Sequence, residues 1–483
     1  MFVMDDDVSY EIKNRRKKRA IKVALTEGLM VIAVIALVVT TTLIAIGYNV
    51  NPGKDWSVER TGLVQIQTLP TGARVSLDGN MIFGWTNLSR SMSEGEHEIV
   101  ISRDGYDSWS KNILVTAGLY YRLNYPRLFL TERKTETIAD FSKMELVSFA
   151  KDGNLMLAVP EKSTDWSLYK INEEKPSATK INVDGLFTGA KNGVFVGEIE
   201  VDGWSGNSNK VLMRANGEWV LLDVKKPDES VNLSQKFGAE FFEVKIANDA
   251  ATELFVLENG NLRMINVNDG KISEVLLSGV KYIDNLKSDV VYVTNEDAEG
   301  HIKTGIYRNG EKGGTVVSEF LASESDPDVG VRMMIGEYFG EYYVMEVIGE
   351  EIGVYKGEKL PSFGEESTIE PIMVEKLGFV PEKLETTGGG GLFNVSAGAK
   401  RATFDIETMK LNKWDAGTEM KWLDEHMVYG VKDSKLVVAD FDGENYRVLA
   451  EGVKAGTEVK ISGNNRWMYF LDETGELIRM QIS

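Results

Sequence analysis

Two kinds of hydrophobic pattern divide the chain. The first is a continuous run. From Gly28 to Tyr48 the sequence reads GLMVIAVIALVVTTTLIAIGY and carries no charged residue. About 20 apolar residues in a helix match a bilayer hydrocarbon core of ~30 Å, so residues 25–48 are expected to form one transmembrane helix. Thr40, Thr41 and Thr42 are compatible with it, because a helical hydroxyl bonds the carbonyl one turn back. Tyr48 and Trp56 fall near one interface, where amphipathic aromatics are favoured. The second pattern is alternation, which starts near Gly62 and continues to the C-terminus. Short stretches of alternating polarity, broken by Gly, Asn and Asp, predict β-strands.

The alternation is tight between Gly62 and Tyr125. Val64, Ile66 and Thr68 fall on one face, with Gln65 and Gln67 between them. A turn at Leu69–Ala73 follows, then Val75 and Leu77, then Asp78-Gly79, which is a hairpin signal. Glu94-Gly95 marks another turn before His97, Ile99 and Ile101. Asp104-Gly105-Tyr106 closes that strand, and Ile113 and Val115 belong to a further one. These residues predict a small antiparallel β-sandwich over 62–130, reached through a linker at 49–61.

Beyond about residue 140 a strand–turn–strand theme repeats. Its clearest unit is Glu253–Leu257, a turn at Glu258–Asn261, Leu262–Val267 and a turn at Asn268–Lys271. Comparable strands occur at Leu168–Ile171, Trp219–Leu222, Gly305–Arg308, Gly353–Lys356, Ala402–Asp405, Leu436–Ala439 and Leu477–Met480. Their spacing centres on about 44 residues, the period of a four-stranded propeller blade. The expectation is therefore an all-β chain whose residues 131–483 form a seven- or eight-bladed β-propeller. Its last strand would close the ring against Arg127–Thr131 or Met144–Phe149, because an open ring leaves an edge unpaired. Two β-sandwiches in tandem are the alternative.

Charge adds orientation. Lys13, Arg15, Arg16, Lys17, Lys18, Arg19 and Lys22 precede the apolar run, and only Lys54 and Arg60 follow closely. Cationic flanks stay in the cytoplasm, so residues 1–24 are read as a cytoplasmic tail and everything after the helix as extracytoplasmic. A cleaved signal peptide is the alternative. It fits less well, because the apolar core exceeds a typical signal-peptide core and no clear small-x-small cleavage site follows. The chain carries −20 overall, and the part from Tyr48 onward carries −22. Such a surface repels phosphate backbones, which argues against nucleic-acid binding. There is no cysteine, which excludes disulfides, thiolate catalysis and thiolate zinc sites. A large exported domain without disulfides points to a bacterial or archaeal surface.

The motifs of residues 62–125 have a family resemblance. Pro70-Thr71-Gly72-Ala73, Val75-Ser76-Leu77-Asp78-Gly79, Gly84-Trp85-Thr86, Glu94-Gly95-Glu96-His97 and Gly105-Tyr106 resemble the PEGA domain in order and spacing. One departure is Asn87 after Thr86, where the family usually has proline. The resemblance implies a non-catalytic surface module beside a membrane anchor. It assigns structural roles to Pro70, Gly72, Ala73, Asp78, Gly79, Gly84, Thr86, Gly95, His97, Gly105 and Tyr106. Trp85 and Trp109, with Tyr106, are candidates for a ligand-stacking face, against the plainer reading that they cap the small core.

No catalytic motif stands out. The three histidines, His97, His301 and His426, fall in different predicted modules, so neither a triad nor a histidine metal site is expected. No cofactor is expected. Asp440–Gly443 and Glu324–Asp328 are acidic turns lacking the closing glutamate of a calcium loop. The glycines at 388–391 lack the Lys-Ser/Thr of a phosphate loop and read as a connection. The expected function is non-catalytic binding of an envelope polysaccharide or surface protein, with the bilayer engaged through residues 25–48. A carboxylate-dependent polysaccharide hydrolase or lyase is one alternative, and a structural part of a surface assembly is another. Oligomeric state is not readable.

Overall fold

The structure is a computed structural model. It describes residues 6–45, 48–51, 57–322, 330–365, 368–387 and 390–483. The chain divides into two compact units, 1–129 and 130–483.

The first unit opens with a single 40-residue helix, Asp6–Ala45. It is longer than the expected 25–48 at its start and shorter at its end. Residues 6–24 hold no Gly or Pro and are rich in Lys and Arg, so nothing stops the helix there. Tyr48 instead begins a strand, Tyr48–Asn51, paired with the start of Ser57–Ile66. Within the helix, Ile21–Leu43 is long and apolar enough to cross a membrane, with mean hydropathy 2.4, and none of its side chains is buried by the rest of the chain. The Thr41 and Thr42 hydroxyls donate to the Leu37 and Val38 carbonyls at 2.7 and 2.8 Å, so each satisfies its polar group inside the helix. Lys17, Arg19 and Lys22 are exposed. The side chains of Lys13, Arg15, Arg16 and Lys18, and Trp56 as a whole, lie outside the described residues.

The rest of this unit is two four-stranded sheets. Ser57–Ile66 pairs with Tyr48–Asn51, with Leu88–Ser93 and with Tyr120–Leu123. The second sheet runs Asn80–Met81, Arg74–Leu77, Gly95–Ser102, Trp109–Val115. Both contribute to one core: Val64, Ile66, Met92 and Leu123 from the first, and Val75, Ile99, Ile101, Trp109 and Val115 from the second. Every one of these nine is at most 6% exposed. The expected wholly antiparallel pairing is corrected here. Tyr120–Leu123 runs parallel to Ser57–Ile66, because the chain crosses from one sheet back to the other after Val115 instead of turning within a sheet.

The second unit repeats one theme. Among the described residues there are eight successive antiparallel sheets of four or five strands, plus a small hairpin at Ala190–Phe195. The first is Met144–Phe149, Leu155–Pro160, Asp165–Lys170 and Ser177–Asn182, and the others follow the same meander. The eight segments singled out by their spacing all coincide with third strands, three of them running one residue past the strand's end: Asp165–Lys170, Glu218–Asp223, Asn261–Asn266, His301–Tyr307, Glu351–Gly357, Lys400–Asp405, Lys435–Asp440 and Glu476–Gln481.

Burial gives each sheet a direction. Middle strands are almost wholly buried, as in Leu392–Ala397 and Lys435–Asp440. Fourth strands such as Glu370–Lys376 and Ser177–Asn182 are mostly exposed. First strands of neighbouring sheets touch one another, as Val280–Leu286 touches Arg332–Tyr338, which in turn touches Lys383–Thr386. First strands therefore lie innermost and fourth strands outermost.

Successive sheets share apolar cores. Trp166 and Leu157 of the first sheet pack with Val211 and Val220 of the second. Met345 and Val354 of the fifth pack with Phe393 and Phe404 of the sixth. The eighth shares a core with the first through Tyr469, Leu477, Phe149 and Met156, so the series closes on itself. Burying one such side chain contributes about 1.5–3 kcal/mol. The closing strand corrects the two expected candidates. It is Thr135–Asp140, between them in sequence, pairing with Glu476–Gln481 as the outer strand of the eighth sheet. Leu130 donates its N–H to the Ile482 carbonyl just before it, at 3.1 Å. Arg479 ties the closure: its side chain is buried, Nη2 reaches Glu136 Oε2 at 2.5 Å, Nη1 donates to the Glu174 carbonyl at 2.7 Å, and the guanidinium stacks 4.2 Å from the Trp467 ring centroid.

Candidate functional site

In the second unit, first strands from four sheets surround a cavity of about 660 Å³. Met144–Phe149 supplies Glu145, Leu146 and Val147, Lys383–Thr386 supplies Lys383 and Glu385, Lys421–Trp422 supplies both its residues, and Lys460–Ile461 supplies Lys460. The connection into the eighth sheet adds Lys454 through Val459. Four lysines and three carboxyls therefore face one space.

Their environments differ. Burial pushes the Glu458 carboxyl up to about 7, opposed by the Phe149 N–H and by Lys460 and Lys421. Burial also raises Glu145, and the nearby Glu161 and Glu198 raise it further. Lys460 is lowered by burial, although Glu458, Asp424 and Asp152 oppose the fall. Lys383 reaches Glu419 at 2.5 Å. Behind the wall, Arg401 is 0% exposed. Its Nη1 donates to the Met420 carbonyl at 2.6 Å and its guanidinium lies 5.4 Å from the Trp422 ring centroid. Burial lowers it to about 10, so it remains a cation at neutral pH.

First strands of the second, third and fourth sheets carry a different set. Lys245 pairs with Glu243 at 3.1 Å, with Asp202 and Asp284 acting on both. Burial raises all three carboxyls against the pull of Lys245. Elsewhere, Asp297, His301 and Glu319 bring ligand-type atoms within 4.8 Å of one another, a grouping not expected from the sequence. Lys303 Nζ already lies 3.7 Å from Asp297 and 3.5 Å from Glu319. That ammonium competes with any cation there.

In the first unit, the turn after Leu69 is bound to the loop at Thr86. Ala73 donates its N–H to Thr86 Oγ1 at 3.0 Å, Thr86 N–H donates to the Ala73 carbonyl at 2.9 Å, and Gly72 N–H donates to the Thr86 carbonyl at 2.8 Å. Thr86 and Thr68 share a hydroxyl hydrogen bond of 2.5 Å, buried from water. Asp78 (φ 49°) and Gly79 (φ 78°) form the two-residue hairpin between Leu77 and Asn80. Two consecutive positive φ values favour Asp-Gly there. His97 is buried against this hairpin. Its Nδ1 is 2.7 Å from Asp78 Oδ2 and its Nε2 is 2.8 Å from the Ser93 carbonyl. Both ring nitrogens thus face acceptors, which favours the imidazolium. Burial opposes that charge, but Asp78 and the Ser93 carbonyl prevail and hold His97 above its ordinary value. Asp78 is held low by His97 and by the Glu98 N–H.

Residues 61–127 match the model of the PEGA domain. No curated protein matches the chain. Among solved structures, the ring resembles the β-propeller domain of Myceliophteria thermophila Cps50 (Swd1), at 10% identity and TM-score 0.39, over 72% of this chain and all of that one. Kluyveromyces lactis Hsv2p is similar at 11% identity and TM-score 0.39, over 64% of this chain and 97% of that one. A prolyl endopeptidase matches at 10% identity and TM-score 0.43, over 70% of this chain and 56% of that one.

Within the PEGA domain the motif residues are spread by role. Pro70, Gly72 and Ala73 make the turn that Thr86 holds, with Gly84 in the facing loop. Asp78 and Gly79 form the hairpin that His97 holds, Gly95 opens the strand Gly95–Ser102, and Gly105 and Tyr106 follow that strand, where Arg103 stacks on Tyr106 at 5.0 Å. The paired stacking face is corrected. Trp109 is 1% exposed, packed edge-on to Tyr125 inside the core, whereas Trp85 is 66% exposed. A strand position facing the core cannot also face a ligand.

Asp440–Gly443 is a closed turn: Asn445 Nδ2 donates to Asp440 Oδ2 at 2.8 Å and Glu444 N–H to Asp442 Oδ1 at 3.1 Å. Glu324–Asp328 and Gly388–Gly389 lie outside the described residues. Gly390 packs against the fifth sheet, where an added Cβ would sit 2.3 Å from the Glu337 carbonyl oxygen. Sequence reasoning missed the cavity residues. Lys421–Trp422 and Lys460–Ile461 are two-residue strands, too short for alternation to register. The usable signal was the spacing: each lies two strands before a third strand that the repeat had marked.

Proposed function

We propose that this chain is a membrane-anchored binding protein of the cell envelope. In this reading the uncharged part of the helix, from Gly28 onward, spans the bilayer, with Lys13, Arg15, Arg16, Lys17, Lys18, Arg19 and Lys22 in the cytoplasm. The charge-free run from Gly28 to Tyr48 exceeds the 7–15-residue core of a cleaved signal, which supports an anchor. The PEGA domain is a β-sandwich spacer, its two sheets sharing one core. Residues 130–483 form an eight-bladed β-propeller. Eight meander sheets, first strands innermost, and a closing strand from the start of the unit support that count.

The observation that carries the binding role is the cavity lined by charged side chains from the inner strands of four sheets. Propeller ligands commonly sit at such inner positions, an argument from architecture. A polysaccharide or a surface protein is the proposed partner. A second reading is favoured by one residue. Glu458, pushed up to about 7, has the proton affinity of a general acid in glycoside hydrolysis.

One experiment separates the two. Detergent-solubilised full-length protein is incubated with purified envelope polysaccharides and surface-protein fractions, recording retention and new reducing ends. Saturable retention without new ends is the expected result. New ends that vanish in Glu458→Gln would favour the hydrolase, and absence of retention by every fraction would end the binding reading.

A further inference from the structure

The cavity's lysines bear on what it holds, given the binding role above. The unit containing it carries −22, so its general field repels anions. Nonspecific attraction of an acidic ligand is therefore disfavoured. Yet Lys383, Lys421, Lys454 and Lys460 face one space from three different segments of the ring. Of these four, Lys383 is the one with an ion-pair partner within 4.0 Å among the described residues, Glu419. Lys460 is partly buried, lies at the cavity wall, and has no carboxylate within 4.0 Å among the described residues. A desolvated ammonium without a close counter-charge is costly, and a bound anion would remove that cost. Arg401 adds a fixed positive charge behind Trp422. Of the three carboxyls that would oppose an anion, Glu458 is half-titrated near pH 7, which weakens the opposition.

We propose that this cavity binds an anionic group, a carboxylate or phosphate borne by an envelope polymer or small solute, with Lys460 as the inner anchor and Lys421 and Lys454 at the rim. Binding is specific, because the surrounding surface has the wrong sign for a general electrostatic trap. It therefore survives moderate salt better than binding to a basic patch would.

The test is titration calorimetry on full-length protein in a neutral detergent. Three probes are used: inorganic phosphate, trigalacturonate and the neutral maltotriose. Trigalacturonate or phosphate is expected to bind at least tenfold more tightly than maltotriose, and which of the two leads identifies the anion class. Lys460→Gln is expected to weaken the anion at least tenfold. Lys421→Gln, at an exposed position, is expected to weaken it about threefold with an unchanged melting temperature. Maltotriose binding as tightly as the charged probes overturns the anion assignment and leaves the binding role intact. Anion binding unchanged in both variants, or no saturable heat from either anion, also overturns it. The polymer-retention assay judges the binding role separately.

Discussion

The PEGA domain and the ring use the same material, sheets of four or five strands on apolar cores, but are held in different ways. In the PEGA domain two sheets enclose one core, and a few polar side chains fix the connections: Thr86 on the Pro70–Ala73 turn and His97 on the Asp78-Gly79 hairpin. In the ring each sheet is fixed by its neighbours, and buried polar groups act between sheets. Arg479 joins the closing strand to the first sheet. Glu346 of the fifth sheet accepts from Thr304 at 2.5 Å, from Ser318 and from Tyr355 at 3.1 Å, drawing the fourth sheet to it. The charges differ as well. Residues 48–129 balance to zero, and the ring carries −22. A small domain thus depends on particular turns, and a repeated one on closure.

That contrast sets the expected effects. Arg479→Ala removes a buried group serving three contacts at the closure and is expected to cost the ring about 3–4 kcal/mol. Chemical denaturation of the full-length protein reads this. PEGA-domain peptides should keep their hydrogen-exchange protection, and equal loss in both units would break the comparison. Glu346→Ala leaves three donors without their acceptor and is expected to cost the ring about 2–3 kcal/mol. Substituting Thr304→Val in that background should then cost little more, since the two act as one network.

Thr86→Val keeps the shape and deletes the hydroxyl, orphaning the Ala73 N–H. About 2 kcal/mol is expected, confined to the PEGA domain and visible as faster exchange over 73–102 with the ring unchanged. The smallest effect is the His97 titration. Its folded value is raised, so its contribution is complete below about pH 6.5 and is lost as pH rises through the raised value. Exchange over Gly95–Ser102 should quicken modestly above that point beyond the intrinsic pH trend. His97→Gln should abolish the extra step, and persistence of the step in that variant would point to another group.

Much of this fold was legible in the chain because burial leaves a pattern. Third strands such as Trp219–Leu222 pack on both faces, so each left a dense apolar run at nearly constant spacing. The PEGA turns were legible as motifs, since few residues tolerate those backbone positions. The closing strand was not, because Thr135–Asp140 is a mostly exposed outer strand in which only Ile138 and Ala139 are half-buried. Nor was the parallel pairing of Tyr120–Leu123, which depends on where the chain crosses between sheets. The cavity stayed hidden for a related reason: its charged residues sit on inner strands of two to six residues and on the connection into the eighth sheet, where polarity reads as turn. Trp85 and Trp109 looked alike as sequence and separated only when strand pairing placed one in the core.

The layout across the membrane is tested most directly by labelling intact cells with a membrane-impermeant amine reagent and mapping the modified lysines by mass spectrometry. The exposed lysines Lys421 and Lys454 of the ring should be modified on intact cells, and Lys17 and Lys22 only after the cells are opened. Modification of Lys17 and Lys22 on intact cells, with the ring lysines protected until lysis, would place the ring in the cytoplasm and contradict the account.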